Sequence, residues 1–533
     1  MNMSYKKVKV SLVVAFVTLA FMPIIHGENC NSDNINDTQC YGFIINVTAD
    51  QSYNMQTNIC RLVNKLLHHN VSTYWISSDI SILTQELNEE TMVVERFFKK
   101  GSFVVSFSSD SSVNTKATAL VYMEGIGEKL EVYKIMQPLE NLMVYGLVEP
   151  RIAHYNGENA DSDNYYNILK IAGFENQKRL KPNEVISNLT TDNYDIIIWG
   201  GGKKDAYYDT FKDILTPTGF AVSKIIREFV TNGGGYIGSC YGGWRAASGY
   251  RRPLGVPLDI RYSSLLTLFP IQLKLINFDV YRALPGGGVN VTVKIVNHDN
   301  PIAFGLPEYI DKNWYFGGPI FLERNSKHSN SGTLAVIKDA NLENWYFDSW
   351  MELSPWWNCK IISNETKYKI AENWIKKSIG TPIWVTGKFG DGKVVAFGTH
   401  PEITRGMDSD WSCPPKIVYN TIWYTISNGP YSVNVNKSIS FSKLNVDADG
   451  PYSGIVEEPI QFYGSVYDGM PPYDWYWDFQ LSLTMYTSEE QNPVITFSYP
   501  GTYKVALIVT DAEGNIGGDV TTLEVYSFMT SLL

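Results

Sequence analysis

Residues 233–248, GGGYIGSCYGGWRAAS, set six glycines and one cysteine between a strand-like stretch and the start of a helix. Gly238, Gly242 and Gly243 let the chain turn tightly there, so a strand feeds directly into a helix with Cys240 at the corner. The stretch upstream has a similar scheme. YDIIIWGGG is an apolar run of the kind buried on both faces of a parallel sheet, and it ends in Gly200, Gly201 and Gly202. A helix follows in which Val222, Ile225, Ile226, Phe229 and Val230 mark one face and Asn232-Gly233 closes the end. Alternating strands and helices predict an α/β fold over 147–427, a doubly wound, mostly parallel sheet with its chemistry at the carboxyl ends of the strands.

A chain of 533 residues exceeds a single core. Its 44% hydrophobic and 19% charged content suits a folded protein. A net charge of −11 excludes a general nucleic-acid binder, because an acidic surface repels phosphates. Lys6, Lys7 and Lys9 precede an apolar run from Val10 to Ile25, so 1–27 reads as a secretory signal or, uncleaved, as a membrane anchor. Either places the chain outside the cell or on its surface. Seven N-x-[ST] sequons, at Asn36, Asn46, Asn70, Asn188, Asn290, Asn364 and Asn436, are compatible with a glycoprotein. Outside the cell cysteines pair by default, which makes Cys30 with Cys40 or Cys60, and Cys359 with Cys413, the expected disulfides.

Residues 28–146 read as a small α/β unit, with FIINVTAD and GSFVVSFSS as strands and Ile59, Leu62, Val63, Leu66 and Leu67 on one helical face. His68 and His69 at that helix end read as dipole-compensating surface. Residues 250–395 supply later strands and a β-rich insertion in the 147–427 domain, with Gly390-Asp391-Gly392 as a hairpin turn. The composition of 428–440 is that of a linker. The stretch 441–526 has short alternating strands, Gly, Pro and Asp turns and no helical period, which predicts a small Ig-like β-sandwich.

Two motifs carry candidate chemistry. A cysteine at the start of a helix has its thiolate favoured by the dipole, as a nucleophile requires; the other reading of Cys240 is a buried apolar thiol in a close-packed turn. In FGTHPE, His400 and Glu402 stand two residues apart after an apolar strand, so extended chain puts both on one side. A surface turn set by Pro401 is the alternative.

A cysteine in a G-x-C-x-G-G elbow followed far downstream by His-Pro-Glu resembles the class I glutamine amidotransferase-like superfamily, and within it the branch named after the N-terminal domain of some biotin-protein ligases, through GGGYIGSCYGG, PIAFGLP and GKVVAFGTHPE. The resemblance implies Cys240 as nucleophile, His400 as base and acid, Glu402 as orienting carboxylate, and an oxyanion hole from Tyr241 with Gly200, Gly201 or Gly202. The cysteine and histidine lie 160 residues apart, more than is usual there, and no ammonia-accepting domain is visible. A hydrolase of an amide or peptide bond is therefore expected, working through a thioester; the alternative is a non-catalytic surface binding or adhesion protein. The terminal stretch resembles a PKD domain through DADGPYSG, PPYDWYWDF and NPVITFSYPGTYKVALIVTDAEGN, with Trp477, Tyr499 and Tyr503 expected in its core and a glycan or another protein as its partner. Asp447, Asp449 and Asp478 are expected to bond their own turns. No metal and no cofactor is expected.

Overall fold

The computed structural model describes residues 39–527 except 88–91, 128, 158–159, 203–215, 248, 251–275, 277, 283–287, 317, 324–331, 341–363, 404–412, 441–443 and 481–484. The N-terminal signal or anchor at 1–27, Cys30, Asn36 and Cys359 lie outside these residues. No helix among the described residues is long and apolar enough to cross a membrane.

The first sheet has eight strands, in the order Tyr431–Val435, Leu139–Gly146, Thr73–Ile76, Phe103–Ser106, Gly42–Ile45, Val132–Ile135, Ile80–Glu86, Val94–Phe98. Every neighbouring pair is antiparallel. The helices Tyr53–His68 and Ser111–Gly127 pack against each other. Ser52 caps the first of them by accepting the Met55 amide, and Leu62, Val63, Leu66 and Leu67 form its buried face. The edge strand Tyr431–Val435 comes from the stretch whose composition predicts a linker; pairing with Leu139–Gly146 overrides that composition.

The second sheet has nine strands: Gln177–Leu180, Ile152–Tyr155, Ile196–Trp199, Gly235–Ser239, Gly392–Phe397, Pro382–Phe389, Thr333–Ala340, Val289–Ile295, Tyr309–Tyr315. The first five run parallel. From Gly392–Phe397 onward every pair is antiparallel. This corrects the expected fold class. Strands make up 40% and helices 24% of the described residues, and the sheets are curled and largely antiparallel rather than a doubly wound, mostly parallel α/β fold. The reason is local: Gly390, at φ +61°, closes a hairpin that reverses the chain, and the segment expected as an insertion supplies the antiparallel half of the sheet. Elsewhere the turn chemistry acts as its residues predict. Thr216 caps the helix Pro217–Thr231, and Gly233 leaves it at φ +101°.

The third part is all strand. A five-stranded sheet, Tyr452–Ile455, Ile516–Tyr526, Gly501–Thr510, Asp474–Gln480, Met485–Ser488, faces short ladders across a core of Trp477, Phe479, Phe462, Phe497, Tyr503 and Leu507. Tyr499, expected in that core, is 72% exposed. Only its carbonyl is used, accepting the Tyr503 hydroxyl at 2.6 Å and tying the strand start to the preceding loop.

The three parts keep clusters of their own but also share one. One apolar cluster runs from Phe43 and Trp75 through Trp423 and Ile237 to Ile508 and Ile516. Trp75 lies 5.4 Å from Phe304 and 6.0 Å from Trp423, ring to ring. The buried Lys416 amine donates to the carbonyls of Thr48 and Gly305 across the same boundary.

Candidate functional site

Three adjacent parallel strands end at the same level. Trp199 is paired with Gly238, and Ser239 with Phe397. The residues that follow, Gly200–Gly202, Cys240 and His400, therefore emerge side by side at the carboxyl ends. Cys240 sits between the strand Gly235–Ser239 and the short helix Tyr241–Ala246, at φ +48° and ψ −106°. Holding a non-glycine residue in this region costs on the order of 1–3 kcal/mol, so its surroundings must impose it. They do so through hydrogen bonds at both ends: the Cys240 amide donates to Phe397 O at 2.9 Å, and its carbonyl accepts the Trp244 amide at 3.1 Å.

The elbow glycines are required by contact. A Cβ on Gly242 would collide with the Trp199 carbonyl, one on Gly243 would lie 2.7 Å from Phe397 O, and one on Gly238 would lie 2.5 Å from Gly242 O. The helix start is thus pressed against two strand ends, which leaves no room for side chains.

His400 and Glu402 are both buried. The His400 amide donates to Trp314 O, and its Nδ1 lies 2.9 Å from Glu402 Oε1. Nε2 is then the ring nitrogen left for the Cys240 thiol. Burial disfavours the charged ring, but the negative charges and hydrogen bonds of Cys240 and Glu402 outweigh it and raise the His400 pKa well above its ordinary value. The thiol has a second acceptor in Phe316 O, at 3.3 Å. Of the expected oxyanion residues, Gly201 and Gly202 pair with Asp161 and Ala160, and Gly200 O accepts the Gly242 amide at 3.3 Å. Tyr241 packs edge-on to Trp199. The loop thus brings Gly201 against the His400 ring, where a Cβ would lie 2.5 Å from Cε1.

Sequence reasoning misses the residues behind Glu402. Ser239 Oγ donates to Glu402 Oε1 at 2.9 Å. Tyr165, on the helix Asp163–Ile171, is wholly buried, and burial followed by the Glu402 charge pushes its phenol well above the ordinary range. Cys413 donates to Asn313 Oδ1 at 2.9 Å, and burial with the Glu402 charge raises its thiol too. The adjacency of Ser239 to Cys240 is the one signal the sequence holds for this group.

Each expected disulfide has one partner, Cys30 or Cys359, outside the described residues; Cys40, Cys60, Cys413 and Cys240 are buried free thiols. Cys40 Sγ donates to Gly42 O at 3.1 Å, and burial pushes its thiol up to about 12. Asp447 accepts the Asp449 amide at 2.8 Å, its own turn. Among the described residues no group of three His, Cys, Asp or Glu side chains is placed to hold a metal ion.

No protein-family model matches the chain. A stretch of 153 residues is 30% identical to collagenase ColQ1 of Bacillus cereus (strain Q1), covering 23% of this chain and 15% of the collagenase, so the chain spans well under two thirds of that relative. Among solved structures, a cytoplasmic protein of Salmonella typhimurium aligns over 52% of this chain and 98% of its own at 14% identity and TM-score 0.28. A human PKD domain aligns over 15% of this chain and 80% of its own at 14% identity, and a carbohydrate-binding module of the β-sandwich superfamily over 16% and 34% at 29%, both with TM-score 0.13. These scores are too low to carry an argument. None of the comparisons supports the expected likeness to glutamine amidotransferases.

Proposed function

We propose that this chain is an extracellular hydrolase that opens an amide or peptide bond through Cys240. The observation that carries the reading is the contact chain Cys240, His400, Glu402 at the ends of two adjacent parallel strands. In the proposed cycle Cys240 Sγ passes its proton to His400 and attacks the carbonyl carbon. The leaving amine takes that proton from His400, and a thioester remains. Water then gives a proton to His400 as its oxygen attacks the thioester; the acid is released and Sγ regains the proton. Glu402 holds the ring by Nδ1 and stabilises its charged form. The partial similarity to a collagenase and the lysine-led apolar stretch at 1–27 support an exported peptidase, with the terminal PKD-like part as a module for glycan or protein.

A second reading, a surface binding protein without catalysis, is favoured by the depth of Cys240, which is 8% exposed. One experiment separates the two. Iodoacetamide at pH 7 is expected to label Cys240 at least tenfold faster in the wild type than in His400→Asn, and gelatin is expected to be cleaved by the wild type but not by Cys240→Ala. Equal labelling of wild type and His400→Asn, together with cleavage unaffected by Cys240→Ala, would refute the hydrolase.

A further inference from the structure

Glu402 is an incompletely bonded buried carboxylate. Oε1 receives two donors, His400 Nδ1 at 2.9 Å and Ser239 Oγ at 2.9 Å, whereas Oε2 is buried with no hydrogen-bond partner. Such an oxygen is costly unless something offsets it. The Tyr165 hydroxyl is in the complementary condition: buried, with no aligned partner, and close enough to Glu402 and Ser239 for both to act on its ionisation. An unsatisfied donor and an unsatisfied acceptor thus lie near one another at the carboxylate that holds the imidazole.

We propose that Tyr165 and Ser239 are positioning residues that hold Glu402 from behind, with the Tyr165 O–H reserved for Oε2 at the moment His400 becomes charged. This rests on the cysteine-hydrolase reading. When the proton moves from Cys240 Sγ to His400 Nε2, the new imidazolium polarises Glu402, and a donor on Oε2 holds the carboxylate in the ring plane. No proton leaves Tyr165 and no other group is needed. Ser239 has the same task on Oε1, and its place next to the nucleophile ties the position of Glu402 to that of the elbow.

The test uses the full chain and the pH dependence of iodoacetamide labelling at Cys240. A carboxylate turned out of the ring plane stabilises the imidazolium less, so the thiolate–imidazolium pair forms only at higher pH. The acid limb of the labelling profile is therefore expected to move up by at least 0.5 pH unit in Tyr165→Phe and in Ser239→Ala, and further in the double variant, while Ser239→Thr restores the wild-type limb. A structural role alone would lower the plateau or the melting temperature and leave the limb in place, and that outcome overturns the proposal. Should a variant fold poorly, the His400 ring signals of the 15N-histidine-labelled Ser239→Thr and wild-type chains decide it: coincident titrations support the proposal and displaced ones overturn it. Failure of the hydrolase reading itself looks different, because wild-type Cys240 is then labelled no faster than in His400→Asn.

Discussion

Room for the His400 ring is set by one backbone position without a side chain. Because a Cβ at Gly201 would lie 2.5 Å from His400 Cε1, alanine there must displace either the ring or the loop. Gly201→Ala is expected to slow Cys240 labelling at least tenfold while lowering stability by no more than about 3 kcal/mol, as read from labelling rates and urea midpoints on the same preparation. Unchanged labelling would mean that the ring does not depend on this loop. The elbow was legible in the sequence because it is local: glycines at fixed offsets around Cys240 are what a strand turning into a helix needs. Glu402 was legible for the same reason, two residues from His400. Tyr165 was not. It lies 75 residues before Cys240 on a helix whose pattern marks it only as apolar, and its nearness to Glu402 exists only once the helix is packed.

At the scale of elements, the strand Asp474–Gln480 shows how far an aromatic pattern can be trusted. Trp477 is fully enclosed in the C-terminal core, whereas Tyr499 stands in solvent. Trp477→Ala is expected to cost about 3–5 kcal/mol, and Tyr499→Ala less than about 0.5 kcal/mol. Tyr503→Phe, which deletes the bond to Tyr499 O, falls between at about 1 kcal/mol. Denaturant titrations of the three variants give the order directly, and a Tyr499 cost approaching that of Trp477 would contradict the described packing. Strand existence was readable here from alternation, but strand direction was not. The period of two in GGVNVTVKIV is the same whether its neighbour runs with it or against it, so the antiparallel half of the nine-stranded sheet could not be told from a continuation of the parallel one. The strand Tyr431–Val435 was equally hidden, since its partner Leu139–Gly146 lies nearly 300 residues away.

For the whole molecule, the junction between the N-terminal helices and the C-terminal sheet holds a buried charge cluster. Glu124 is paired with Arg61 at 3.2 Å and Lys65 at 2.8 Å. Asp478 comes from the C-terminal sheet with Oδ2 unpartnered; Tyr476 also feels its charge. Burial, with Glu124 adding and Lys65 opposing, pushes the Asp478 pKa up to about 6. Between its unfolded value of 3.8 and about 6 the folded chain holds a proton that the unfolded chain has released, so this contribution to stability is present at low pH and lost as pH rises through about 6. Asp478→Asn is expected to stabilise the chain by up to about 3 kcal/mol at pH 7.5 and by much less at pH 4, as read from urea midpoints at the two pH values. A gap that does not widen with pH would show that Asp478 is not strained at this junction.

Turns, caps and the strand-to-helix corner were readable along the chain, because these depend on residues within a few positions of one another. Cys240, His400 and Glu402 were therefore legible as candidates. The direction of the sheets, the free state of Cys40, Cys60 and Cys413, the apolar cluster shared by the three parts, and the nearness of Ser239 and Tyr165 to Glu402 came only with the packed chain. Each of these depends on burial and on contacts between distant segments, and burial is a property of the packed chain, not of any one stretch of it.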